Sequence, residues 1–342
     1  MRTPLTILFA ALTAAFAVQS AHAQAAPDGE TTNTGNGWKY FRRGSPDDVK
    51  TPTTFGILFE GGGTDVDEAY RWLCAHAGNG DVLILRASGT PAYDPYIQRL
   101  CPGVNSVATL IVNHRRASND PFVLDKVAKA EAIFISGGNQ ANYVRFWQQT
   151  PLNHAIDVAA RRGVPIGGTS AGNAVLAQFA YSALTRSVTS HEALADPFNF
   201  RITIANGFLN VSRLLDHTIT DDHFVTRDRM GRLVAFLARI GHDRFAPRPF
   251  AIATDEHTAF LMEADGKGRI VGSGAAYFVN APGRPEVCKP ETPLTYRNLA
   301  VYKLTKGGTF DVRGWSGTGG TAYSLSAVDG VLKSTQPGGE IY

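Results

Sequence analysis

Short apolar runs alternate with segments of helical periodicity through the first half of the chain. The apolar runs predict buried strands at 55–59, 81–85, 106–112, 132–136 and 164–166. Helical spacing of apolar residues predicts helices at 65–76, 93–100, 123–130, 140–147 and 152–162. This alternation is typical of an α/β fold, and we expect three layers in which a mostly parallel sheet is covered on both faces. Glycine-rich turns follow three of the strands, so ligands are expected at that edge of the sheet.

The pattern changes beyond residue 183, where short strand-like runs replace the regular alternation. Strands are predicted at 202–206, 217–220, 250–254, 258–262, 270–271 and 276–279, with one basic amphipathic helix at 228–240. The tail is rich in glycine and also β-like. We therefore divide the chain into a leader (1–23), a polar N-terminal arm over the surface (24–53), an α/β domain (54–283) and a β-rich C-terminal extension (284–342).

The first residues have the composition of a secretory signal peptide. Arg2 precedes an apolar run at 5–18 that is too short for a membrane span, and Ala21-His22-Ala23 has the Ala-x-Ala pattern of a cleavage site. We expect export to the periplasm or the medium, a mature chain that begins near Gln24, and no membrane association after cleavage.

Charge and cysteine content narrow the possible functions. The formal net charge is only +3 and Lys and Arg form no long run, so the composition does not favour nucleic-acid binding. In an exported protein we expect Cys74 and Cys101 to form a disulfide and Cys288 to remain a thiol, the alternative being three unpaired buried cysteines. No Cys/His spacing resembles a zinc site, and no metal is expected.

The sequence Gly168-Thr169-Ser170-Ala171-Gly172 lies between the strand predicted at 164–166 and a helix predicted at 173–180. A Gly-x-Ser-x-Gly in this context is the nucleophile-elbow arrangement, in which small neighbours allow a strained serine to expose its hydroxyl. The alternative is a glycine-rich turn with an incidental serine.

A serine nucleophile needs a base, and the base needs an orienting acid. His223 follows a predicted strand and has charged neighbours, which favours it over its rivals His191 and His257. The residues alone do not choose among the acid candidates Glu192, Asp221, Asp222, Asp255 and Glu256. Just after the histidine come Arg227, Arg229 and Arg232, which either form a solvated basic face or bind an anionic substrate through bidentate contacts.

Several of these pieces occur together, in order, in one known family. The pieces are Gly137-Gly138-Asn139-Gln140, the Ser170 motif, Asp222-His223-Phe224 with the three arginines, and Asp255-Glu256-His257-Thr258-Ala259. The chain thus resembles the cyanophycinase group of serine peptidases, which includes aspartyl dipeptidase, over roughly residues 55–279. The resemblance implies a fold like that of class I glutamine amidotransferases and cleavage of multi-L-arginyl-poly-L-aspartate to β-Asp-Arg dipeptides. It implies no cofactor, and family members are often dimers.

The resemblance also implies roles for individual residues. Ser170 would be the nucleophile, His223 the base and Glu192 the acid of the triad. The amides around Gly138 and Ala171 would form the oxyanion hole. The pocket for an Asp- and Arg-containing peptide or polymer would be lined by Gln140, Asp221, Asp222, Arg227, Arg229 and Arg232.

Two positions depart from the family pattern. Asn139 stands where the family has Asp, and Asp222 where it has Gln, which adds negative charge near the expected pocket. Two alternatives to cyanophycin hydrolysis are an aspartyl or isoaspartyl dipeptidase and a non-catalytic periplasmic binding protein. A flavodoxin-type nucleotide protein is weaker, because the turn at 61–63 lacks the G-x-G-x-x-G spacing.

Overall fold

Most elements of the fold belong to two β-sheets. The computed structural model describes residues 24–25, 30–209 and 211–342. The strands are β1 (Gln24–Ala25), β2 (Thr31–Gly35), β3 (Trp38–Gly44), β4 (Gly56–Glu60), β5 (Asp81–Arg86), β6 (Ser106–Val112), β7 (Ala132–Ile135), β8 (Ile166–Thr169), β9 (Phe179–Tyr181), β10 (Ile204–Asn206), β11 (Thr218–Asp221), β12 (Phe250–Thr254), β13 (Thr258–Glu263), β14 (Lys267–Gly272), β15 (Ala275–Asn280), β16 (Tyr296–Thr305), β17 (Thr309–Asp311), β18 (Ser316–Thr318), β19 (Thr321–Val328) and β20 (Val331–Ser334). The α-helices are α1 (Asp67–His76), α2 (Tyr93–Leu100), α3 (Pro121–Lys129), α4 (Gln140–Trp147), α5 (Pro151–Arg161), α6 (Ser190–Ala195) and α7 (Met230–His242).

The larger sheet has the order β1-β2-β3-β6-β5-β7-β8-β4-β13-β14-β17-β18. Its centre, β6-β5-β7-β8-β4, is parallel, as the apolar runs predicted, and every residue of β4, β6 and β7 is buried. On both sides of this centre the strands pair antiparallel. The sheet is therefore mixed, and the prediction of a mostly parallel sheet holds only for its centre.

The smaller sheet has the order β10-β9-β11-β12-β15-β16-β19-β20. It packs against the larger sheet through aromatic side chains, among them Phe260 of β13 and Phe278 of β15, whose ring centroids are 4.9 Å apart. Helix α7 packs on it with almost every residue buried. Because β16 pairs with β15 and β17 pairs with β14, the strands beyond residue 284 extend both sheets.

The expectation of a surface arm at 24–53 is wrong for residues 31–44. Strand β3 pairs antiparallel with β6 along its whole length, and Trp38 and Tyr40 are buried in the core. The Trp38 indole also donates a hydrogen bond to Asp120 at 2.8 Å. Buried aromatic side chains on one face of β3 thus anchor a segment that is otherwise mostly polar. The predicted leader, 1–23, lies outside the described residues.

A disulfide joins the segments of α1 and α2. Cys74 and Cys101 are bonded, which confirms the predicted pair, and Cys288 is a free, buried thiol. Burial raises the pKa of Cys288 to about 12, so this thiol is protonated and unreactive. Across the described ranges, no helix combines the length and apolarity needed to cross a membrane.

Candidate active site

Ser170 lies directly after β8, at the carboxyl end of the parallel strands. Its φ of 50° is in the left-handed region, which a nucleophile elbow requires. A short 3-10 helix, Ser170–Val175, follows, in place of the longer helix predicted at 173–180. The turn packs so closely on β7 that a Cβ on Gly172 would lie 1.8 Å from the carbonyl oxygen of Ile135. Only glycine fits there, which explains the second glycine of the motif.

His223 reaches Ser170 from the other sheet. It follows β11, and its backbone N–H donates to the Gly61 carbonyl at 2.8 Å, which joins it to the glycine turn after β4. Its ring is buried, and Nε2 lies 2.8 Å from the Ser170 hydroxyl oxygen. The rival histidines His191 and His257 are both exposed. The structure thus brings together the predicted nucleophile and the predicted base.

The acid beside the histidine is Glu256. One of its carboxylate oxygens bonds the Nδ1 of His223. Glu256 occupies the turn between β12 of the smaller sheet and β13 of the larger one, and its side chain is 18% exposed. The next residue, His257, donates its N–H to the Gly62 carbonyl at 3.0 Å. The three groups therefore meet where the two sheets join.

The assignment of Glu192 as the acid is corrected by this geometry. Glu192 forms a capping box at the start of α6 with Thr189, and it pairs with Arg201. Hydrogen bonding from the Thr189 backbone, together with Arg201, lowers the pKa of Glu192. Its partners are local, and it makes no contact with His223 among the described residues. A Thr-x-x-Glu pattern is itself the sequence signature of a capping box.

The hydrogen bonds around His223 fit a base. With the proton on Nδ1, the ring donates to Glu256 and accepts from the Ser170 hydroxyl. Such an imidazole can take the serine proton while the carboxylate stabilises the cation that forms. Gly62 lies against this assembly, because a Cβ there would stand 2.5 Å from Cε1 of the ring and 3.1 Å from the Ser170 Cβ. The glycine turn after β4 thus forms one wall of the site.

The predicted oxyanion-hole residues belong to two segments that adjoin Ser170, one next to it in the chain and one next to it in space. Ala171 directly follows Ser170 in the 3-10 helix. Gly137, the neighbour of Gly138, borders the serine, since a Cβ on it would be 3.8 Å from the hydroxyl oxygen. The oxyanion role of Gly138 and Ala171 stays a prediction.

Two of the predicted pocket residues are already paired inside the protein. Arg232 and Asp221, whose side chains are each 2% exposed, form a bidentate ion pair. The Arg232 guanidinium also lies 5.1 Å from the centre of the Tyr181 ring. A buried pair of this kind orders the fold, and neither residue presents a free charge to a ligand. The prediction that both line the substrate pocket is corrected for this reason.

Asp222 and Arg229 also form an ion pair inside the protein. Arg229 donates to the carbonyl and to the carboxylate of Asp222, at 2.9 and 2.8 Å. The buried Asp222 carboxylate also lies 3.5 Å from Nε2 of His223, on the side that faces the serine. Arg227 differs from both other arginines because its side chain is 52% exposed, and its Nε lies 3.7 Å from Glu256. It is the arginine of the three that is best placed to meet a solvent-borne anion.

Asn139, where the family pattern has Asp, caps helix α4. Its side-chain oxygen accepts from the Ala141 N–H at 3.0 Å. Asn and Asp serve almost equally well at this position, so the departure is structurally neutral. Gln140 is the first residue of α4 and is partly exposed.

In the described part of the chain, no group of three or more His, Cys, Asp and Glu side chains is arranged to hold a metal ion.

Glu60 is a buried acid close to the site that the sequence analysis did not single out. Glu60 ends β4, is fully buried, and accepts from the Val66 N–H and the Tyr70 hydroxyl, both at 2.8 Å. Burial, together with the nearby Asp65, raises the pKa of Glu60 to about 7. In the sequence, only its position directly before the glycine turn at 61–63 indicates that Glu60 lies near the site.

Comparison with known proteins matches part of the sequence to one family. The profile of peptidase family S51 matches residues 65–234, a range that contains Ser170 and His223. The chain is similar to this family over that range. The matched range ends before Glu256, so the family profile itself does not cover the acid.

The similarity to family S51 agrees with that to curated relatives. The cyanophycinase of Synechococcus elongatus is 29% identical over 216 residues, which are 62% of this chain and 62% of that protein. The cyanophycinase of Geminocystis herdmanii is 27% identical over 249 residues, 70% of this chain and 85% of that protein. The alignment therefore spans less than two thirds of the Synechococcus protein.

A solved structure shares the fold of this chain. The crystal structure of a peptidase from an acI-B1 Actinobacterium superposes with a TM-score of 0.52 at 16% identity, over 76% of this chain and 98% of that one. At this identity the likeness concerns the mixed α/β architecture alone.

Proposed function

We propose that the protein is a serine peptidase that hydrolyses cyanophycin, multi-L-arginyl-poly-L-aspartate, to β-Asp-Arg dipeptides. The observation that carries the proposal is the chain of contacts Ser170–His223–Glu256 at the carboxyl ends of the strands. Family S51 and the cyanophycinase relatives support the peptidase class and this substrate. The parallel centre of the larger sheet also agrees with an architecture like that of class I glutamine amidotransferases.

The proposed reaction proceeds through an acyl-enzyme. The Ser170 oxygen attacks the amide carbonyl while Nε2 of His223 takes the hydroxyl proton. The same nitrogen then returns the proton to the leaving amine as the C–N bond breaks. Water, activated by His223, hydrolyses the ester and restores the serine. Glu256 holds the imidazole in one tautomer throughout and stabilises its charged form.

For the substrate, we propose that Arg227 binds a carboxylate. It combines high exposure with closeness to the triad, whereas Arg229 and Arg232 are engaged by acids of the protein. A guanidinium can bind a carboxylate through two hydrogen bonds. In multi-L-arginyl-poly-L-aspartate the β-carboxyl of each aspartate is bonded to the amine of an arginine. The carboxylate partner would therefore be the free carboxylate of an arginine branch or of the chain terminus.

The test is incubation of purified cyanophycin with the wild type and with Ser170→Ala, with products identified by mass spectrometry. β-Asp-Arg from the wild type alone supports the proposal. Cleavage of only β-Asp or α-Asp dipeptides would keep the triad and replace the substrate by small peptides. If neither substrate is cleaved and a fluorophosphonate does not label Ser170, the protein is a binder and the peptidase proposal fails.

We further propose that the protein is exported. The leader pattern at 1–23 supports this, and the Cys74–Cys101 disulfide fits an oxidising compartment. Cell fractionation together with mass analysis of the mature N-terminus tests it. A chain that starts near Gln24 in the periplasm or medium is expected, and an uncleaved cytoplasmic chain would contradict export.

A further inference from the structure

Tyr342 lies far along the chain from the triad but contacts the loop that carries the base. We define the His223 loop as residues 222–229, between β11 and α7. The Tyr342 ring packs edge-on against Phe224, with centroids 5.8 Å apart, and against Tyr277 at 5.9 Å. Phe224 directly follows His223, so this contact supports the loop beneath the imidazole.

The Tyr342 hydroxyl contacts the other end of the same loop. It donates to the Asp228 carboxylate at 2.8 Å and accepts from the Met230 N–H at 2.9 Å. These two residues flank Arg229. Tyr342 therefore holds the His223 loop at two points, one next to the base and one next to the arginine that pairs with Asp222.

The local backbone needs this support. Helix α7 begins after Arg229, which provides no side-chain cap for the first amides of the helix. Asp228 has a φ of 47°, in the left-handed region that is unfavourable for a residue with a Cβ. The Tyr342 hydroxyl accepts the hydrogen bond from the Met230 N–H that no cap accepts, and it also holds the Asp228 side chain. One hydroxyl therefore supports both the uncapped start of α7 and the unfavourable backbone of Asp228.

Tyr342 is itself held in place by its neighbours. The Tyr323 hydroxyl, on β19, donates to the carbonyl of Ile341 at 2.8 Å. Burial raises the pKa of Tyr342 above its ordinary range, so the hydroxyl keeps the proton that it donates. The segment after β20 thus places the Tyr342 hydroxyl, which both donates and accepts a hydrogen bond, at the His223 loop.

We propose that Tyr342 is a positioning residue of the active site, which keeps His223 and Arg229 in register with Ser170 through the His223 loop. This role rests on the peptidase function proposed above. It gives the C-terminal strands a part in catalysis as well as in folding.

The test compares Tyr342→Phe, which removes only the hydroxyl, with Tyr302→Phe. Tyr302 lies on β16, and its hydroxyl likewise accepts a backbone N–H, from Gly320 at 2.9 Å, far from the His223 loop. For Tyr342→Phe we expect about tenfold slower fluorophosphonate labelling of Ser170 and a raised KM, since small misplacements of reacting groups are costly. Hydrogen exchange should also accelerate in the His223 loop. Tyr302→Phe should leave all three at the wild-type values.

Wild-type labelling and KM in Tyr342→Phe, at a melting temperature equal to that of Tyr302→Phe, would overturn the proposal. A wild type that fails to label at all would refute the peptidase function instead. In that case the exchange measurement alone decides on the positioning role, because it needs no substrate. Unchanged exchange in the His223 loop would then reject it.

Discussion

Replacing Glu256 by glutamine separates the acid found in the structure from the one that the resemblance implied. The glutamine keeps the size of the side chain and can still accept the Nδ1–H bond, but it cannot balance the charge of the imidazolium. Glu192→Gln is the matched control, since it makes the same chemical change in a capping box outside the site.

The expected loss can be worked out from the environment of Glu256. Loss of the acid in a Ser-His-acid triad costs about 10⁴-fold in kcat, which is about 5.5 kcal/mol in activation free energy. Here the carboxylate is partly exposed and Arg227 lies 3.7 Å away, so part of its charge is already screened. We therefore expect a smaller loss, about 10³-fold or about 4 kcal/mol.

The assay is kcat with cyanophycin, paired with the rate of fluorophosphonate labelling and with thermal unfolding. Glu192→Gln should keep kcat within about twofold and lose less than about 1 kcal/mol of stability. Glutamine can also complete a capping box, and the lost ion pair with Arg201 is partly exposed. The reverse result, in which Glu192→Gln abolishes turnover and Glu256→Gln does not, would refute the assignment of Glu256.

Two further predictions concern the turn after β4. Gly62→Ala should lower kcat by about 10²-fold, because the new Cβ would lie 2.5 Å from the His223 ring. Gly103→Ala, at a similar φ with nothing within 4 Å, is its control and should change only stability. Glu60→Gln should flatten the dependence of stability on pH. Because the pKa of Glu60 is raised to about 7, the folded state binds a proton that the unfolded state releases above about 4.5, and stability falls as pH rises through this window. The loss is at most about 3 kcal/mol between pH 4.5 and 7, and urea titrations at several pH values would detect it. An equal slope in both proteins would contradict the buried-acid interpretation.

The centre of the fold could be predicted from the sequence because its strands are buried on both faces. Such strands are continuous apolar runs, and the Ser170 turn has local glycine requirements that the sequence displays. Strand β2 escaped prediction because it consists of Thr, Asn and Gly, and β3 because Lys, Arg and Gly make up the residues beside its aromatic ones. Only the alternation of Trp38 and Tyr40 with polar residues indicated a half-buried strand.

The base could be predicted and the acid could not, for a physical reason. His223 stands at the end of a strand, where ligands gather. Glu256 reaches it only because the β12–β13 turn crosses between the sheets, and no local pattern reports such a crossing. The capping-box pattern at Glu192 was readable, and it would have removed that residue from the candidates. The pairing of Arg232 likewise depends on which face of α7 is buried.

The junction of the two sheets also decides when during synthesis the protein can become active. Ser170 and His223 are 53 residues apart in the chain, and His223 and Glu256 a further 33. Contacts between such distant segments form only after the intervening chain has been made and folded. A nascent chain not yet extended past Glu256 carries a serine with no complete proton relay. A ribosome-bound chain of this protein would thus lack the assembled triad until its second sheet has formed.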